Sequence, residues 1–100
     1  MQHVRVATYK LTSGTADEAA ELAQTGMLPI FQSHHGFIGY SVLHVGEGEV
    51  MSISVWKSHQ DAEEATDLAR DFVAENMANR ISLEWSGVGD AMFNANALGD

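Results

Sequence analysis

A chain of 100 residues and 10.8 kDa has material for one domain and not comfortably for two. Hydrophobic residues make up 45% and charged residues 19%, with nine Gly and one Pro, which excludes a disordered tail, a collagenous repeat and a low-complexity linker. Five Lys plus Arg against fourteen Asp plus Glu give a net charge of −9, and the basic residues Arg5, Lys10, Lys57, Arg70 and Arg80 are scattered. That field repels nucleic acid and anionic membrane surfaces, whose binding depends on clustered cations.

The chain has no cysteine, hence no disulfide framework, thiolate metal site or cysteine nucleophile. The N-terminal run MQHVRVATYKL has no signal-peptide pattern. No apolar stretch approaches the ~20 residues needed to span a bilayer. A cytoplasmic protein is expected.

In chain order, Val4, Val6 and Thr8 alternate with Arg5, Ala7 and Tyr9, which predicts a first strand over residues 3–11. Thr12-Ser13-Gly14 is a turn, and Thr15 with Glu18 is a capping-box pairing that starts a helix. Ala16, Ala20, Ala23, Met27 and Ile30 or Phe31 form its apolar stripe. Pro29 removes a donor and clashes with the Thr25 carbonyl, so a kink or restart is expected there. Gly36 is expected to end the segment in a left-handed conformation.

Residues 37–45 alternate again, with Ile38, Tyr40 and Val42 opposing Phe37, Gly39 and Leu43. Residues 46–49, Gly-Glu-Gly-Glu, form a turn into a third strand over 50–57, an antiparallel hairpin. Ser58 with Asp61 caps a second helix whose apolar stripe is Ala62, Ala65, Leu68, Ala69, Phe72, Val73 and Met77. Glu63, Glu64, Asp67, Asp71 and Glu75 crowd its solvated side. A last strand over 80–88 places Ile81, Leu83 and Trp85 on one face. In the tail, Met92 and Phe93 are expected to dock and the final residues to fray.

The order β-α-β-β-α-β predicts an α+β, ferredoxin-like domain over residues 1–100, with a core at about 3–90 and a tail at 91–100. Its four-stranded antiparallel sheet carries both helices on one face. The bare face is then apolar whichever way the strands turn, which predicts a homodimer packed through its sheet faces.

LTSGTADEAAEL, LPIFQSHHGFIGYSVL and SISVWKSHQDAEEA resemble the antibiotic-biosynthesis monooxygenase-like family of dimeric α/β-barrel proteins. The resemblance covers about residues 3–90 and implies a small pocket between sheet and helices in each protomer. It implies a cofactor-free oxygenase acting on a quinol- or anthrone-type aromatic, whose own carbanion activates oxygen. The haem-degrading branch uses an Asn on the first strand and a Trp and a His on the second helix. Here the strand position falls at Ala7, the helix has no Trp, and its one His, His59, is in the first turn.

His34 and His35 are the candidate catalytic residues, one of them as a general base at the pocket mouth, since an imidazole titrates near neutrality. Neighbouring side chains on a helix diverge by about 100°, so the alternative is a structural pair at a helix C-terminus, and no metal site is expected. Tyr9, Phe31, Trp56 and Phe72 are the candidate substrate-binding residues; the alternative is that they are plain core. His44 is expected on the Tyr40 side of its strand, reaching across the dimer if that side meets the partner sheet. His59, at a helix start, is expected to be neutral and exposed. There is no phosphate loop, nucleophile elbow or Walker-type lysine. A non-catalytic dimer that binds a small ligand or regulates a partner is the alternative function; an isomerase or cyclase on the same barrel has no separate signal.

Overall fold

The computed structural model describes residues 2–96. Strands β1 (His3–Leu11), β2 (Phe37–Gly46), β3 (Glu49–Trp56) and β4 (Ile81–Asp90) form one sheet in the order β2-β3-β1-β4. All neighbouring pairs are antiparallel. Between β1 and β2 lies a helical arm made of α1 (Ala16–Leu22), a π-helical segment Ala23–Met27 and α2 (Leu28–Gln32); α3 (His59–Asn76) lies between β3 and β4. This is the ferredoxin-like arrangement expected.

Strand register decides which face the helices cover. β1 turns Arg5, Ala7 and Tyr9 toward them, and β3 turns Val50, Ser52, Ser54 and Trp56, all buried. The helices meet this face with small residues, Ala19, Ala23, Ala62, Ala65 and Ala69, which allow close approach. Met51, Ile53 and Val55 point the other way, half-buried, with Val4 and Val6 beside them on β1.

Three register shifts break the strict alternation, one of them at His44/Gly46 beside the β2–β3 turn, and the other two decide where aromatics face. On β2, Phe37 pairs with Trp56 and Gly39 with Val55, leaving Ile38 as an extra residue. Phe37 and Tyr40 therefore share the helix-facing side, although alternation put them on opposite sides. On β4, Trp85 pairs with Thr8 and Leu83 with Tyr9, leaving Glu84 unpaired. Leu83 and Trp85 thus lie on opposite faces, not on one.

The arm starts as expected: Glu18 N–H donates to Thr15 Oγ1 at 3.2 Å, and Thr15 N–H donates back to Glu18 Oε1 at 2.9 Å. The expected irregularity at Pro29 takes the form of the π-helical segment, in which Leu28 N–H reaches back to Ala23 O. Pro29 then sits in the first turn of α2, directly after the widened segment, where its fixed φ suits the helical backbone. Gly48, with φ of 74°, provides the left-handed turn residue between β2 and β3.

Gly36 does not adopt the expected left-handed conformation. It is needed for space: a Cβ there would collide with the Asp61 carboxylate and lie 2.8 Å from the Asp61 Cβ. Ala91 N–H still bonds Gln2 O at 2.7 Å, but Met92 and Phe93 beyond it are 94% and 87% exposed and do not dock. The expected fraying falls on residues 97–100, outside those described. Among the described residues no helix is long and apolar enough to cross a membrane.

Replacing Gly36 by Ala should destabilise the fold by about 1–3 kcal/mol, since rotating the Asp61 side chain does not remove the contact with its Cβ. Urea unfolding measures this; an unchanged midpoint would contradict the close approach.

Candidate functional site

Aromatic and small side chains divide the space between helices and sheet into a solid end and a hollow end. At the solid end Trp56 is fully buried, its Nε1–H donating to Ser54 Oγ at 2.9 Å. Phe31, Phe37 and His34 stand edge-on to its ring at centroid distances of 5.0, 5.5 and 5.2 Å. At the hollow end is a cavity of about 40 Å³, where a single water needs only ~10–15 Å³.

The cavity is walled by β1–β3, the first residue of β4, the helical arm and α3. Ala19, Ala23 and Ala69 leave the space, and Met27, Phe31, Phe72 and Met77 enclose it. The polar side chains in its wall are Tyr9, Tyr40 and Ser52; among the described residues no acid, histidine, lysine or arginine lines it. Burial pushes the Tyr40 hydroxyl up to about 12, with the Ser52 hydroxyl and the Arg5 charge pulling the other way. Tyr40 is therefore a neutral hydrogen-bond donor throughout the physiological range.

Three of the four aromatics expected to bind substrate, Tyr9, Phe31 and Phe72, line this cavity. Trp56 does not: Phe31, 4.9 Å edge-on from Tyr40, stands between it and the hollow.

The two candidate catalytic histidines do not line the cavity either. They lie in the turn after α2, with their rings stacked at 4.5 Å and 23°, so the divergence expected of helix neighbours does not apply. Gly36 N–H donates to His34 Nδ1 at 3.0 Å, which puts the His34 proton on Nε2, facing Glu64 Oε1 at 2.8 Å. Both nitrogens of His34 are thus engaged. His35 projects outward with an 81% exposed side chain, its Nε2 3.3 Å from Asp61 Oδ1.

His44 pairs with Val50, on the helix side of β2 and exposed, so it has no place on the open sheet face. His59 is exposed, as expected, but Asp90 hydrogen-bonds it and raises its pKa, which favours the charged form over the neutral one expected.

The residue that sequence reasoning missed is Arg5. It is 2% exposed, its Nε–H donates to Thr66 Oγ1 at 3.1 Å, and its Nη1 has no hydrogen-bond partner among the described residues. A buried cation without a carboxylate is costly. Its one signal in the sequence is a charge at an inward position of an otherwise apolar strand face, Ala7-Tyr9-Leu11.

The sequence matches the profile of the antibiotic biosynthesis monooxygenase family over residues 2–74. No curated protein matches it significantly. Among solved structures, SnoaB, a cofactor-independent oxygenase from Streptomyces nogalater, superposes with a TM-score of 0.68 at 18% identity, covering 93% of this chain and 95% of its own. MupZ from Pseudomonas fluorescens gives 0.69 at 11% identity, covering 87% and 69%. A Nitrosomonas europaea protein of unknown function gives 0.67 at 13%, covering 95% and 96%. At these identities the likeness is one of fold.

Glu64 allows a test of the His34 assignment. The hydrogen bond from His34, and then that from Gln60, holds its carboxyl below the ordinary 4.5. A carboxylate with a lowered folded pKa stabilises the fold above its unfolded value and loses that contribution as pH falls through the folded one. Wild type should therefore melt slightly above Glu64→Gln at pH 6–7, with the gap closing below about 4.5. A gap independent of pH would contradict the pairing. On its profile match over residues 2–74, the chain belongs to the antibiotic biosynthesis monooxygenase family.

Proposed function

We propose that the protein is a cofactor-independent monooxygenase that binds a small aromatic of the quinol or anthrone type in the cavity between sheet and helices. The observation that carries this reading is the cavity itself: an aromatic and aliphatic wall with three hydroxyls, Tyr9, Tyr40 and Ser52, and the buried Arg5 charge acting on Tyr40. SnoaB, described as a cofactor-independent oxygenase, shares the fold.

An anthrone-type methylene oxidised by O₂ gives a carbonyl and water: one oxygen atom enters the product, the other leaves as water, and the substrate supplies all four electrons. The step begins when the substrate loses a proton and its charge delocalises onto a ring oxygen. Tyr9 and Tyr40 donate hydrogen bonds to that oxygen, and Arg5 adds positive potential from behind. Among the described residues no side chain of the wall accepts the proton, which passes to water. The cavity is smaller than a fused-ring substrate, so binding displaces the flexible Met27 and Met77.

The second reading is a module that binds a ligand without converting it, favoured by the absence of any acid or histidine from the described wall. Oxygen uptake by chelator-treated protein with a panel of anthrones and quinols, against autoxidation controls, separates the two. Protein-dependent uptake supports the oxygenase; a bound aromatic recovered unchanged supports the module. Arg5→Met should be at least as stable as wild type, because it removes an unpaired buried charge. It should lower turnover on the order of 10²-fold while keeping ligand binding. Unchanged turnover in both Arg5→Met and Tyr40→Phe would remove them from the mechanism.

We further propose a homodimer closed through the open sheet faces. Val4, Val6, Met51, Ile53 and Val55 form an apolar face there, and Trp85 adds a 58% exposed indole. Sedimentation should give a dimer for wild type and a monomer for Ile53→Glu. A dimer unaffected by that charge would place the interface elsewhere.

A further inference from the structure

We propose that His3, His59 and Asp90 form a binding site for a divalent d-block cation of the Zn²⁺ type, outside the cavity and independent of the reading above. The three come from the start of β1, the first residue of α3 and the last residue of β4. Two are positioned by the sheet, since His3 and Asp90 are direct cross-strand partners. The first turn of α3 then brings His59 onto the same carboxylate. His3 Nδ1 lies 2.6 Å and His59 Nδ1 2.9 Å from the same Asp90 oxygen, Oδ1, and the three donor atoms lie within 4.8 Å of one another.

Two imidazole nitrogens and one carboxylate oxygen are the donor set of open zinc sites, in which water fills the fourth position. Tetrahedral zinc with bonds near 2.0–2.1 Å spaces its donors by about 3.3 Å. The two N···O edges here need to open by about half an ångström to admit it. Three part-exposed side chains at the end of a sheet accommodate that by small rotations.

An outer-shell carboxylate stands within reach, a few tenths of an ångström beyond hydrogen-bond distance. The other ring nitrogen of His59, Nε2, lies 3.6 Å from Glu63 Oε2, one turn along α3. Metal-bound histidines are commonly oriented by such a carboxylate on the far nitrogen. The overall charge of −9 favours cation capture.

A second cluster, His34, His35 and Asp61, has similar spacing. Its His34 accepts the Gly36 N–H on Nδ1, which occupies the lone pair a metal would need, so it is the weaker ligand set and the natural control. A cation at His3, His59 and Asp90 ties the two ends of the paired strands to α3, and so acts as a clasp on the fold.

The test is Zn²⁺ titration of EDTA-treated, chelator-free protein, by calorimetry and by competition with a chromophoric chelator. The expected result is one ion per chain at micromolar or tighter affinity, weakened at least tenfold in both His59→Ala and Asp90→Asn. The His34→Ala/His35→Ala double variant should bind as wild type does. Zn²⁺ should raise the melting temperature of wild type and not of His59→Ala, a readout that needs no enzymatic activity. Circular dichroism in EDTA confirms that the variants fold, and Asp90→Asn is the conservative change should His59→Ala not. Absence of stoichiometric binding overturns the proposal, as does binding lost only in the His34/His35 variant.

Discussion

Trp56 has no exposed surface, and the Ser54 hydroxyl holds its indole N–H at 2.9 Å. Without that acceptor the N–H would be a buried, unsatisfied donor, a cost of about 1–3 kcal/mol. The ring is then fixed as a face against which Phe31, Phe37 and His34 stand edge-on, contacts worth about 0.5–1.5 kcal/mol each beyond their buried area for aromatic pairs. One inward serine of β3 follows from this constraint and the next serves Tyr40. Ser54 completes the indole, and Ser52 stands beside the Tyr40 hydroxyl at the next inward position.

With one end of the sheet filled by Trp56, Phe31 becomes a partition. Its far side faces a space that alanines on α1, the π-helical segment and α3 are too small to fill. The π-helical segment serves the same geometry, because it places Gly26 where a Cβ would come within 2.5 Å of the Phe72 ring. A helix without that widening and without glycine would push Phe72 out of the cavity wall. The local irregularity around Pro29 thus positions a wall residue of the site.

The fold was legible because each element carried its own signal. The capping box at Thr15 and Glu18, the Gly48 turn and the alanine stripe of α3 all appear as their residues imply. Three of the aromatics singled out do line the cavity. The rest depended on register and on distance in space. The bulges at Ile38 and Glu84 leave no mark in a period-two pattern, so the faces of Phe37 and Trp85 were misassigned. The histidine pair drew attention by its adjacency, yet its partners, Glu64 and Asp61, come from α3 and are invisible in a local reading. Arg5 looked like one of five scattered surface cations, and only the packing of α3 over β1 shows it buried.

On the proposed function the hollow beyond Phe31 is a ligand site and not a packing defect. The most direct measurement is methionine methyl NMR during titration with an anthrone under anaerobic conditions, so that binding is seen without turnover. Met27 and Met77 line the cavity, whereas Met92 is 94% exposed in the tail. An aromatic in the hollow should give large ring-current shifts at Met27 and Met77, saturating together, with Met92 unmoved. Saturable binding that leaves both cavity methyls in place, or shifts at Met92 alone, would contradict it.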